Sequence, residues 1–184
     1  LHNACSRVTR FDADGQNGEV VALPQATGTV GGFSGKREAT ELFYAFTSFN
    51  YPTTVFRYDV TTGESTVFAA PEVPFAPEDY VAEQVWYESK DGTSVPMFIV
   101  RKQDTPLDGQ RPTYLYAYGG FNISLTPTFR VARLQWLEMG GVYVLANLRG
   151  GGEYGDQWHK AGMRGKKQNV FDDFAAVAQW LVRE

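Results

Sequence analysis

The 184-residue chain carries 17 Lys and Arg against 21 Asp and Glu, a formal net charge of -4, so it offers no basic stripe and no nucleic acid is expected as a partner. Apolar residues make up 43%, charged residues 21% and aromatics 15%, which excludes a disordered, collagen-like or coiled-coil chain. The longest apolar runs, such as Val142 to Leu148 broken by Asn147, fall far short of the roughly 20 residues that span a bilayer, so no membrane association is expected. One cysteine, Cys5, leaves no internal disulfide, and two histidines, His2 and His159, are too few for a zinc site built from Cys and His. The sequence opens at Leu1 without an initiator Met and closes at Glu184 inside a helical pattern; it reads as an internal segment of a longer protein.

The first elements form a repeat. Val8 to Asp12, followed by Gly18-Glu19 and Val20 to Leu23, resembles Val55 to Asp59, followed by Gly63-Glu64 and Val67 to Ala70. Each copy predicts a β-hairpin, a β-branched and aromatic run turned back through polar residues and a glycine. Between them lie the Gly-rich stretch from Thr27 to Gly35 and a strand-like run from Glu41 to Ser48. Short antiparallel strands recurring in the high forties suit β-propeller blades, and an antiparallel sandwich with two similar hairpins fits equally well.

Three prolines within Pro71 to Pro77 mark a linker, and the domain boundary is placed there, giving parts 1–73 and 74–184. Beyond it, Glu83 to Ser89 and Val95 to Lys102 read as strands joined around Asp91-Gly92. Thr113 to Tyr118 is a third strand. Thr126-Pro127 predicts a helix cap with proline in the first turn, the helix running from Phe129 to Met139 and stopping at Gly140-Gly141. Val142 to Leu148 suits a strand buried on both faces. Asn169 predicts the cap of a last helix whose apolar stripe is Val170, Phe174, Val177 and Leu181. The order β, α, β, α after an all-β start predicts a mixed fold, with the second part α/β.

Several motifs compete for a chemical role. Gly150-Gly151-Gly152-Glu153-Tyr154-Gly155 matches the dinucleotide fingerprint literally, but the acids about 20 residues on, Asp172 and Asp173, fall at a helix start and not at a strand end. A tight loop whose backbone passes close to something else is the better reading. No Walker loop is present. Glu153, Asp156 and His159 read as a solvated loop before a metal set, and Asp172 with Asp173 as first-turn helix charges before a catalytic pair. Tyr118-Gly119-Gly120-Phe121 follows a buried strand, where α/β-hydrolases place half of their oxyanion hole, but on these residues alone a core tyrosine before a Gly-Gly turn is the better reading. No serine lies in G-x-S-x-G, so the 184 residues show no nucleophile.

Three stretches together resemble the prolyl oligopeptidase family: Tyr114 to Ser124, Asn147 to Gly155 and Lys167 to Phe174. The likeness is most specific from Tyr80 to Glu184, and Gly31 to Asp59 resembles that family's last propeller blade. The resemblance implies the end of a β-propeller followed by the start of an α/β-hydrolase domain. It implies a serine endopeptidase that cleaves short peptides on the carboxyl side of proline through an acyl-enzyme, without metal or cofactor. A related oligopeptidase or dipeptidyl peptidase of the same fold, or a non-catalytic propeller protein, is the alternative. By resemblance Tyr118 is the oxyanion donor and Phe121 an aromatic wall of the pocket for the substrate proline, while the Ser, Asp and His of the triad lie outside these residues. His159 is not the triad base. A monomer is expected, with a cytoplasmic location and a periplasmic or secreted one as its alternative.

Overall fold

A computed structural model describes residues 1–106 and 108–183. The repeat appears as predicted hairpins. Strands β1 (Thr9–Arg10) and β2 (Glu19–Val20) pair antiparallel. Strands β3 (Thr29–Ser34), β4 (Glu41–Thr47), β5 (Thr54–Asp59) and β6 (Ser65–Ala69) form an antiparallel meander in that order. Tyr44, Phe46, Phe56 and Tyr58 alternate onto one face and are buried with Val21, so period-two alternation puts the aromatics inside.

The second sheet has the order β7-β8-β10-β9. Strands β7 (Tyr80–Glu88) and β8 (Ser94–Lys102) form the hairpin expected at Asp91-Gly92, with Gly92 at φ +80°. Strand β9 (Thr113–Ala117) runs parallel to β10 (Val142–Ala146), connected by helix α1 (Val131–Glu138). Every residue of β10 is buried because both faces are covered. Phe98, Val100, Tyr143 and Leu145 pack under α1 through Leu137, while Val95, Met97, Val144 and Ala146 pack under helix α3 (Gln168–Arg183) through Val170 and Val177.

Phe49, from the turn between β4 and β5, belongs to the core of the second sheet. Its ring lies 5.3 Å from Phe98 and 6.2 Å from Tyr143, with the Arg133 guanidinium 5.0 Å from its centroid. The same junction displaces a predicted helix start. Thr126-Pro127 does not cap α1, because the Pro127 carbonyl accepts from Thr29 Oγ1 at 2.6 Å and the Phe129 amide donates to Thr47 Oγ1 at 3.1 Å. Backbone held by the first sheet is unavailable for the first helical turn, which begins instead at Val131.

Asn169 does not cap α3 either. A 3₁₀ turn at Arg164–Lys166 runs directly into the helix, the Val170 amide bonds the Lys167 carbonyl, and Asn169 Nδ2 donates to Ala161. The inward stripe is Val170, Asp173 and Val177, with Phe174 41% exposed. Asp173 is thus neither a first-turn charge nor half of a carboxylate pair. Its carboxylate accepts from Arg149 Nη2 at 2.6 Å, from Arg149 Nε at 3.0 Å, from the Arg149 amide at 3.1 Å and from Ser89 Oγ at 2.5 Å. Arg149 also donates to Asp91 at 2.6 Å and Thr93 at 3.1 Å. The guanidinium holds the Asp91 carboxyl well below the usual carboxylate range.

Removing one partner of a buried pair strands the other charge, at a cost of about 3–5 kcal/mol. Asp173→Ala removes the fully buried partner of Arg149, itself 5% exposed, and leaves it only the half-exposed Asp91, so stability should fall toward the lower end of that range, about 3 kcal/mol, in chemical denaturation of the full-length protein. A loss below about 1 kcal/mol would mean that water reaches the guanidinium and the pair behaves as a surface one.

Candidate active site

The site is built where β9 ends. Tyr118 follows the last strand residue and is 43% exposed; among the described residues its hydroxyl has no hydrogen-bond partner. Gly119, at φ +60°, turns the chain against α3 and the end of β10: a Cβ there would lie 2.6 Å from Val170 and 2.9 Å from Leu148. Only glycine allows that approach. Gly120 to Ile123 then close a tight turn, with the Ile123 amide donating to Gly120 at 3.0 Å.

Both central residues of that turn have positive φ, Phe121 at +52° and Asn122 at +57°, the pattern of a type I′ turn. Asn tolerates this region, but a bulky aromatic pays strain there of order 1–2 kcal/mol. Phe121 is also 84% exposed, so no burial of its ring offsets the strain.

The turn is fixed by the second glycine segment. Gly150, at φ +92°, would bring a Cβ within 2.6 Å of the Gly119 carbonyl, and one on Gly152 would lie 2.5 Å from the Asn122 carbonyl. Gly162 closes the stack from behind, its Cβ position 2.4 Å from the Gly150 amide nitrogen. Two of the fingerprint glycines, Gly150 and Gly152, therefore pack against chain, while Gly155 meets nothing within 4 Å and has φ +79°; the helix after them, α2 (Asp156–Lys160), has five residues.

The polar residues of this loop divide among separate tasks. His159 Nδ1 lies 2.8 Å from the Gly150 carbonyl, and the Asn122 amide faces both, 3.2 Å from that carbonyl and 3.1 Å from Nδ1. Asp156 pairs with Lys160 at 2.6 Å. Glu153, expected in a solvated loop, is instead 6% exposed, accepts from the Leu125 amide at 2.8 Å and from Asn147 Nδ2 at 3.2 Å, and has its carboxyl pushed up by burial. The structure thus places Tyr118 and Phe121 on one loop and leaves Glu153, Asp156 and His159 with three different sets of partners. Lys167, whose ammonium donates to the Gly119 carbonyl at 2.9 Å, opens the Lys167 to Phe174 stretch of the family resemblance, but nothing local in the sequence sets it against this loop. Arg149 offered a local signal: a charged residue that closes a mostly apolar run, Val142 to Leu148, is rarely buried without a partner.

Residues 127–184 match the Prolyl oligopeptidase family and residues 1–71 its N-terminal beta-propeller domain. The chain belongs to the prolyl oligopeptidase family. A prolyl endopeptidase of Elizabethkingia meningoseptica is 47% identical over 181 residues, covering 98% of this chain and 26% of that protein. Prolyl oligopeptidase A of Galerina marginata is 46% identical over 155 residues, 82% of this chain and 21% of its own length. The chain thus spans about a quarter of the length of the curated relatives it matches. A solved prolyl endopeptidase superposes with a TM-score of 0.93 at 48% identity, over 100% of this chain and 27% of its own. Prolyl oligopeptidase B of Galerina marginata, solved bound to a 35mer hydrolysis and macrocyclization substrate, gives 0.89 at 37% identity, over 98% and 26%. The all-β part is accordingly β-propeller sheet, and the α/β part is the start of the family's α/β-hydrolase domain. Among the described residues no helix is long and apolar enough to cross a membrane.

The backbone stack predicts a long-range effect of a single methyl. Gly162→Ala puts a Cβ into the Arg149–Gly150 backbone, and overpacking of this kind typically costs about 1–3 kcal/mol. The Asn122 and Gly152 amides should then exchange with solvent markedly faster than in the wild type. Unchanged exchange at both would show that the loop absorbs the methyl without moving the turn.

Proposed function

We propose that the protein is a serine endopeptidase that cleaves short peptides on the carboxyl side of proline, and that this segment supplies its oxyanion donor, Tyr118, and a wall of its proline pocket, Phe121. The carrying observation is the loop itself: an exposed phenol with an unengaged hydroxyl, followed after two glycines by an exposed aromatic in left-handed backbone. The relatives' printed names, prolyl endopeptidase and prolyl oligopeptidase, support the substrate class. We further propose a boundary between the propeller and catalytic parts at residue 73, and a monomeric cytoplasmic enzyme.

In this mechanism a serine outside these 184 residues attacks the proline carbonyl carbon while a histidine, also outside them, takes the serine proton and passes it to the leaving amine as the C–N bond breaks; water then hydrolyses the acyl-enzyme. Negative charge then grows on the former carbonyl oxygen. The Tyr118 hydroxyl donates to that oxygen, in partnership with a backbone N–H, more strongly than to the ground-state carbonyl, and this difference accelerates the step. The glycines at 119 and 120 keep side chains away from the reacting centre. Phe121 stacks against the proline ring, a flat apolar surface that an unsubstituted backbone lacks.

Tyr118→Phe in the full-length enzyme removes one hydroxyl and preserves packing. With a substrate whose chemical step is rate-limiting, kcat should fall roughly 100- to 1,000-fold, about 2.7–4 kcal/mol, with a much smaller change in KM. A near wild-type kcat accompanied by a lowered Tm would make Tyr118 a core tyrosine. Phe121→Ala should reduce the preference for proline over alanine substrates by about 1–3 kcal/mol in kcat/KM; an unchanged ratio would remove Phe121 from the pocket.

A further inference from the structure

Lys167 reaches this loop from another element. It lies in the turn before α3, and its ammonium donates to the Gly119 carbonyl at 2.9 Å. The same ammonium stands 5.8 Å from the centroid of Phe171, four residues on, a cation–π contact that restrains its flexible stem. Among the described residues it makes no salt bridge, so no carboxylate neutralises it. The point where a Cβ of Gly120 would stand is 3.9 Å from Lys167 Nζ, 3.7 Å from Tyr118 Cε1 and 4.0 Å from Tyr118 Cζ, the carbon that bears the hydroxyl. Cation and phenol therefore border one small gap that the missing side chain of Gly120 leaves open.

We propose that Lys167 is a positioning residue of the oxyanion site, acting on one step in two ways. Its hydrogen bond fixes the peptide that follows Tyr118, and its charge borders the same gap as the phenol that donates to the developing oxyanion. The charge interacts with an oxyanion and scarcely with a neutral carbonyl, so its effect falls on kcat and not on substrate binding. Salt weakens such an interaction at an exposed ammonium. This inference rests on Tyr118 being the oxyanion donor.

The test is a kinetic comparison of the full-length enzyme with Lys167→Met, Lys167→Arg, Tyr118→Phe and the Tyr118→Phe/Lys167→Met double variant, on a proline peptide whose chemical step is limiting. Lys167→Met should lower kcat roughly 3- to 30-fold with KM within about twofold, and Lys167→Arg should recover most of the loss. The gap between wild type and Lys167→Met should narrow as ionic strength rises. The double variant should lose less than the product of the single losses, because the two groups act on the same oxygen. Suppose Tyr118→Phe keeps near wild-type kcat: then the oxyanion reading falls, and this inference with it. If Tyr118→Phe loses activity as expected while Lys167→Met does not, the oxyanion reading stands and the role of Lys167 is overturned. An equal loss in Lys167→Met and Lys167→Arg that is indifferent to salt and accompanied by a lower Tm also overturns it, as the mark of a purely structural contact.

Discussion

Arg149 is the joint on which the second half of the molecule depends. Its guanidinium ties the β7–β8 turn, through Ser89, Asp91 and Thr93, to α3 through Asp173. Its backbone amide bonds the same Asp173, and its carbonyl forms part of the floor on which Gly119 rests. A buried ion pair is weak evidence for net stability, since desolvation consumes most of the attraction. Its consequence here is geometric. With α3, the hairpin and the Arg149 peptide held to one another, the Gly119–Gly150–Gly162 contact can form at a separation that no side chain would permit.

That contact explains why a literal dinucleotide motif carries no dinucleotide geometry. Glycines serve any backbone that must approach something closely, whether a pyrophosphate or another stretch of chain. In this fold the approach is made to Gly119, Asn122 and Gly162. A phosphate site of that type also uses aligned amides at the start of a substantial helix, whereas the helix after Gly155 is a single short turn of five residues.

What the sequence discloses and conceals follows the range of the interactions. Strand β10 was legible because a run apolar at every position needs cover on both faces, and α1 and α3 provide it. The Asp91-Gly92 hairpin and the Gly140-Gly141 stop were legible because positive φ is a local demand that glycine meets. The caps at Thr126 and Asn169 were misread, since Thr29, Thr47 and the 3₁₀ turn at Arg164–Lys166 supply partners from outside the helices. Asp173 was misread for a related reason: an apolar periodicity gives its inward place to Phe174 and cannot see that Arg149 lies opposite. In the candidate site, Tyr118 and Phe121 were assigned through the family resemblance, whereas the contacts of Lys167 and Glu153 are tertiary and leave no local mark in the sequence.

Phe121 shows how such a site is kept. Left-handed backbone at a bulky residue is unfavourable by order 1–2 kcal/mol and persists only where the surroundings over-determine it. The determinants are all on neighbouring residues: the Asn122 amide on the Gly150 carbonyl, the Ile123 amide on Gly120, the Gly152 amide on Ile123 and the Leu125 amide on Glu153. Each lies on residue 122 or later, so the turn is anchored downstream of the aromatic and Phe121 itself contributes little to the anchoring. Upstream, the Gly119 carbonyl is held by Lys167 from the opposite element. Phe121 thus sits between two clamps that do not involve its side chain, which leaves the ring free to meet something outside this part of the chain.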